Sequence, residues 1–159
     1  MIQQSDSLPK GHILEVVEEI YIDAGSEGLN LQTIANAACV SVAEVNHCFS
    51  SKSRLIDEMV PGRLDPIHHE RLVLLDQMEA ECKDDFSVVH VLSALLIPLI
   101  TRMKPMAHDR RLSRFYERLS CDVTPPIRKM MEQRYLFISE AFNDAFVKSF
   151  PVRRREDIL

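Results

Sequence analysis

The sequence predicts an all-α protein, and three observations carry that prediction. Apolar residues recur at three- and four-residue spacing along most of the chain. The 159 residues include only four glycines and no tryptophan, too few turn formers for an all-β fold. Residues able to cap helices stand just ahead of the periodic runs. An apolar fraction of 46% and a charged fraction of 27% are ordinary for a globular chain of this length. That length suits one compact domain, or a small domain beside a larger one.

The first helix is read from Ile13, Val16, Val17, Ile20, Tyr21 and Ala24, which form one face. Leu8-Pro9 is its expected start and Gly25 its expected stop. Asn30 can cap a second helix through Leu31, Ile34, Ala35 and Ala38, and Ser41 a third through Val42, Val45 and Phe49. A fourth opens at Ser50 or Ser51, with Leu55, Ile56 and Met59 inward, and Pro61-Gly62 is expected to break or kink it. A helix resumes near Asp65-Pro66, with Ile67, Leu74, Leu75, Met78 and Cys82 inward, and Asp84 or Asp85 can cap the next. That next segment, "FSVVHVLSALLIPLITRM", is apolar almost all round and is expected to be the buried centre of the larger half, kinked by Pro98. A sixth helix presents Leu112, Phe115, Tyr116 and Leu119 on one face and Arg110, Arg111, Arg114 and Arg118 on another. Pro125-Pro126 starts a seventh, with Ile127, Met131, Tyr135, Ile138, Phe142, Ala145 and Phe146 inward.

The longest apolar run, "VLSALLIPLI", is too short for a membrane span, and "MIQQSDSLPK" has no signal-peptide core, so a cytoplasmic protein is expected. Cys39, Cys48, Cys82 and Cys121 form no CxxC pair and read as reduced, mostly buried thiols; Cys48 is the best candidate for a redox-sensing one. The net charge of −5 is unevenly spread. Residues 1–60 hold nine acids against Lys10, Lys52 and Arg54, a net of −6, whereas the remainder has 16 bases and 15 acids.

The short helices around "AACVS" match a helix-turn-helix, whose second helix enters the major groove. The run from Ile13 to Val60 resembles the N-terminal domain of the tetracycline-repressor (TetR) family. The resemblance is carried by Ala24-Gly25, Leu31-x-x-Ile34-Ala35, Val40-Ser41, Val45, Phe49 and Ser51-Lys52-x-x-Leu55. It implies a helix-turn-helix domain over residues 1–60 and a helical ligand-binding and oligomerisation domain over 61–159. The implied partners are operator DNA, a small apolar effector and a second copy of the chain. By position, Ser41 caps the reading helix, while Val42, Ala43, Glu44, Asn46 and His47 approach DNA. Gln32 and Thr33 lie at the start of the supporting helix, and Lys52 meets a phosphate. Met103, Phe115, Met131, Tyr135 and Ile138 are the implied pocket residues.

The chain departs from the family pattern where it matters for affinity. No lysine or arginine lies between Val40 and Ser51, and Glu44 brings a carboxylate to the reading helix. Tyrosines are common in the family at the positions of Asn46 and Cys48. Family members typically continue with two long helices that pair between subunits, and here the chain stops at "FPVRRREDIL". A shortened larger domain that exposes apolar surface on its fifth and seventh helices is therefore expected.

Adjacent histidines on a helix point about 100° apart, so His68-His69-Glu70 reads as a solvated face and not a metal site. The arginine stripe of the sixth helix reads most simply as solvated, and more sharply as a dock for an acidic partner. No catalytic constellation or phosphate loop is found, so neither an enzyme nor a cofactor is expected. Two readings follow. One is a TetR-like regulator, a repressor by family habit, that binds operator DNA and answers to an effector. The other is a TetR-like protein that has lost DNA binding and acts on another regulator protein as an antirepressor or co-regulator.

Overall fold

The computed structural model describes residues 7–103 and 110–150, with side chains from Lys10 onward. Among these residues it is all-α: α1 (Ser7–Ala24), α2 (Leu31–Ala38), α3 (Val42–Cys48), α4 (Lys52–Cys82), α5 (Val88–Met103), α6 (Arg111–Cys121) and α7 (Pro125–Ser149). Single 3₁₀ turns cover Ser26–Gly28 and Lys83–Asp85. No helix of the described residues is long and apolar enough to cross a membrane.

The expected local signals for the first three helices hold. α1 stops at Gly25, whose φ of 68° lies in the left-handed region that a side chain disfavours. Asn30 caps α2 by accepting from the Thr33 N–H at 2.8 Å. Ser41 caps α3, and Ser51 Oγ accepts from the Arg54 N–H at the start of α4. The turn between α2 and α3 is only Cys39 to Ser41, and Cys39 occupies the left-handed region at φ 54°. A glycine is the usual solution at such a C-terminal position, so Cys39 carries backbone strain.

The chain divides into two compact units. One holds the described residues up to Leu64 together with Arg110–Gln133; the other holds Asp65–Met103 and Arg134–Phe150. The boundary anticipated at residue 60 therefore falls inside α4, and α6 with the start of α7 groups with the N-terminal helices. α4 does not break at Pro61-Gly62, as it was expected to. Two prolines and a glycine inside a helix cost about 7 kcal/mol together. Burying Met59, Val60, Leu64 and Ile67 in the adjoining turns recovers about 6–12 kcal/mol. Packing outweighs propensity here.

The first unit has a core of Ile13, Val17, Tyr21, Ile34, Val45, Phe49, Leu55 and Phe115, with the Tyr21 and Phe115 rings 5.4 Å apart. Glu18 is buried and accepts a two-pronged bond from Arg63 at 2.8 and 2.9 Å.

The second unit corrects three expectations. α5 is not a buried centre: only Val91, Ala94 and Pro98 are buried, while Val89, Leu92, Leu96, Ile97 and Ile100 are exposed. Apolar composition does not distinguish a core helix from one with an interaction face. The cap ahead of α5 is Ser87, not Asp84 or Asp85, because its carbonyl accepts from the N–H groups of His90 and Val91. His68 is half-buried with its ring centroid 4.5 Å from that of Tyr135, so it does not belong to a solvated face. Pro98 leaves the Ala94 carbonyl without its backbone donor, and the next carbonyl, that of Leu95, accepts from Arg71 Nε at 2.7 Å.

On α7 the inward position is Met130, and Met131 is half-buried. None of the four cysteines is buried: Cys39 and Cys121 are exposed, Cys48 and Cys82 intermediate.

Candidate functional site

The helix-turn-helix is built by two side-chain caps and one strained residue. Ser41 and Glu44 form a reciprocal capping box: the Glu44 N–H donates to Ser41 Oγ at 3.1 Å, and the Ser41 N–H donates to Glu44 Oε2 at 2.8 Å. Ser41 Oγ also donates to Glu44 Oε2 at 2.7 Å. Hydrogen bonds from the Ser41 side chain and backbone hold the Glu44 carboxyl below its usual value. Glu44 is thus folded back onto the start of its own helix, where a negative charge complements the helix dipole. The sequence placed it toward DNA without anticipating this second role.

Asn46 and His47 are exposed on α3 and form no hydrogen bond among the described residues, so their polar ends are available. Ala43 is exposed beside them, and Val42 is half-buried. On α2, Gln32 donates to Asn36 Oδ1 at 3.0 Å, while Thr33 is exposed with its N–H tied to Asn30. Lys52 and Arg54, both exposed, stand in the first turn of α4, and neither forms an ion pair among the described residues. Arg54 was not singled out from the sequence. The available signal was "SSKSR", a basic pair interleaved with serines at a helix start, where free N–H groups already favour an anion.

The acidity of the first sixty residues looks different in three dimensions. Residues 30–54 hold Glu44 against Lys52 and Arg54, a local charge of +1. The other described acids lie on α1, the following turn and α4, and four of these seven are partnered: Glu18 with Arg63, Glu19 with Arg111, Asp23 with Arg114, and Glu58 with Lys10. Residues 7–64 with 110–133 carry ten bases against eleven acids, a net of −1.

The arginines of α6 supply two of those four partners, Arg111 and Arg114, so their stripe is neither a solvated face nor a free dock. Arg118 donates from Nε to the Ile22 carbonyl and from Nη2 to the Asp23 carbonyl, both at 3.0 Å. These are orphan acceptors at the end of α1, where a cation is favoured. Arg114 pairs with Asp23 at 2.7 Å, and Arg111 reaches the Glu15 carbonyl at 3.3 Å. Beside this clamp, Asp122 accepts from the N–H and hydroxyl of Ser26 and from Thr124. Burial raises the Asp122 pKa, but these hydrogen bonds more than offset it and leave the carboxyl below its usual value.

A cavity of about 300 Å³ in the second unit is lined by Asp65, His68, His69, Leu72, Arg134, Tyr135, Phe137 and Ile138. Asp65 accepts from Arg134 Nη2 at 2.6 Å and from the Tyr135 hydroxyl at 2.7 Å. The Arg134 bond, foremost, holds the Asp65 carboxyl low. Burial, with the charge of Arg71, pushes His68 down to about 4, so its imidazole is neutral near pH 7. Both its ring nitrogens are shielded and have no hydrogen-bond partner among the described residues. Such an orphaned polar group costs about 1–3 kcal/mol.

Of the five pocket residues anticipated, Tyr135 and Ile138 meet at this cavity. Phe115 is fully buried on Tyr21 in the first unit, which also holds the half-buried Met131. Met103 is half-buried at the end of α5 and does not line the cavity.

No protein-family model matches the chain, and no curated protein matches it. Among solved structures, the chain is similar to a HlyIIR mutant with residues 170–185 substituted by alanine. Identity is 19%, the alignment covers 97% of this chain and 93% of that one, and the TM-score is 0.36. It is also similar to a protein from Mesorhizobium loti assigned to the TetR family of transcriptional regulators, at 14% identity, 98% and 91% coverage, and a TM-score of 0.37. Superpositions this loose carry no weight. The fold class rests on the helices themselves. The chain is all-α.

Proposed function

We propose that the chain is a TetR-like transcriptional regulator whose α2–turn–α3 unit reads operator DNA. The observation that supports this best is the exposed, unpartnered pair Asn46 and His47 on a doubly capped α3, followed directly by the exposed cations Lys52 and Arg54. Asn46 has the chemistry to pair with adenine, and His47 suits a guanine edge or a phosphate. Lys52 and Arg54 supply phosphate contacts, which position a reader without specifying sequence. The second unit is the effector-binding part, and its cavity beside Tyr135 and Ile138 is the ligand site. Ligand favours the conformer it binds best, so DNA affinity changes by the difference in ligand affinity between conformers. Two reading helices are needed to span successive major grooves, so the acting form is a homodimer.

Gel-shift titration against DNA flanking its own gene tests this reading, with a discrete complex expected at 50–100 mM salt. Absence of any sequence-specific complex there removes it.

One observation favours a second reading. α5 exposes Val89 at 68% and Ile100 at 52%, and α7 exposes Leu136, Phe137 and Val147, with Phe150 exposed just beyond its end. Exposed apolar surface of this kind fits a protein partner, and an antirepressor or co-regulator needs no DNA contact. Affinity capture from extract that recovers a regulator protein, with no DNA retained at low salt, selects this second reading.

A further inference from the structure

We propose that the cavity beside α7 takes an uncharged, planar aromatic molecule bearing one hydroxyl or carbonyl group, anchored on His68. This deepens the reading of the second unit as effector-binding and rests on it. The polar groups around the cavity decide the ligand's charge. Asp65 accepts from both Nε and Nη2 of Arg134 and from the Tyr135 hydroxyl, so the guanidinium edge that faces the carboxylate and the phenol proton are already engaged. A carboxylate ligand finds the Asp65 charge there and a guanidinium already engaged. An ammonium ligand finds a carboxylate already holding three donors beside that same guanidinium. Of the buried polar atoms at the cavity, the two ring nitrogens of His68 remain without a partner among the described residues, while His69 on the lining is exposed to water. A neutral imidazole offers one donor and one acceptor, which matches a hydroxyl or a carbonyl.

The walls decide the ligand's shape. The His68 and Tyr135 rings lie together, Phe137 is 56% exposed, and Leu72 and Ile138 supply apolar edges. A volume of about 300 Å³ stands at the small end of ligand pockets and admits two fused six-membered rings. The His68 nitrogens are shielded in this conformer. The histidine ring torsion is soft, and binding requires the ring rotation that turns a nitrogen toward the ligand. This turns a solvated histidine, as read from the sequence, into the polar anchor of an apolar site.

Calorimetric titration of the full chain with 1-naphthol, naphthalene and 1-naphthoate tests the proposal. It predicts that 1-naphthol binds at least tenfold tighter than naphthalene, and that 1-naphthoate binds no tighter than naphthalene. In His68→Phe the advantage of 1-naphthol disappears, while naphthalene stays within about threefold. If that variant does not fold, the ring-nitrogen NMR shifts of His68 in the unmodified chain decide, and they must move on saturation with 1-naphthol. Tightest binding by 1-naphthoate, an unchanged preference in His68→Phe, unmoved nitrogen shifts, or no binding by any probe overturns it. None of these readouts involves DNA, so failure here and failure of the DNA titration are separate results.

Discussion

Replacing Arg118 with alanine removes the cap from the end of α1. The guanidinium donates to the Ile22 and Asp23 carbonyls at 3.0 Å each, and one of the two bonds is partly buried. Hydrogen bonds involving a charged group contribute about 1.5–3 kcal/mol each. Water replaces the more exposed one in the variant, so the expected loss is about 2 kcal/mol. With a urea m-value of about 2 kcal/mol/M, the midpoint falls by about 1 M. Arg114→Ala is the control, because Arg114 and Asp23 are 57% and 70% exposed and such surface pairs contribute about 0–1 kcal/mol. Its midpoint stays within about 0.5 M of the unmodified chain. Arg118→Lys lies between the two, since an ammonium lacks the planar fork that reaches both carbonyls. Equilibrium urea unfolding followed by circular dichroism measures all three. Equal midpoints for Arg118→Ala and Arg114→Ala refute the reasoning, because the α6 stripe is then a solvated face after all.

Other substitutions probe the remaining supports. Arg63→Ala strands the buried carboxylate of Glu18 and costs about 3 kcal/mol in urea unfolding; adding Glu18→Gln recovers most of it. Cys39→Gly relieves the left-handed strain at φ 54° and raises stability by about 0.5–1 kcal/mol, read as a higher thermal midpoint. His68 has its pKa lowered from 6.5 to about 4. Its neutral-state contribution is therefore complete above pH 6.5 and declines as pH falls toward 4, where the unfolded chain alone takes the proton. Subtracting the pH–stability curve of His68→Phe should isolate a slope confined to that window.

The sequence made the first three helices legible because their determinants are local. Asn30, Ser41 and Ser51 act within three residues of themselves, and a 3.6-residue period marks the faces of α1 to α3. What it left obscure depended on distant partners. The carbonyls that Arg118 caps have no side-chain signature, so the stripe looked solvated. Glu44 reads as a carboxylate that opposes DNA, although "SVAE" is equally the pattern of a capping box, and charge alone does not distinguish the two roles. The continuity of α4 through Pro61 depends on burial of side chains on both sides of it, which propensity does not reveal. α5 was misplaced for the opposite reason, since its apolar surface is real but mostly uncovered. Helical phase places Tyr135 and Ile138 inward on α7, as the structure has them, whereas His68 needed the ring of Tyr135 beside it to stand out.

The central claim is that an α3 without cations reads DNA with few phosphate contacts. Fluorescence anisotropy of labelled flanking DNA over a salt series tests it most directly. Lys52 and Arg54 give two cationic contacts per reading unit, so log K should fall against log salt with a slope of about −3.6 for a pair of units. The double variant Lys52→Ala, Arg54→Ala should bring that slope close to zero, and Asn46→Ala should relax preference at one base pair by about 1–3 kcal/mol. Glu44→Gln keeps the capping box and removes the charge, so it should tighten binding at low salt. A discrete complex with this shallow slope, lost in the double variant, is the predicted result. No sequence-specific complex, or a slope unchanged in the double variant, contradicts the account.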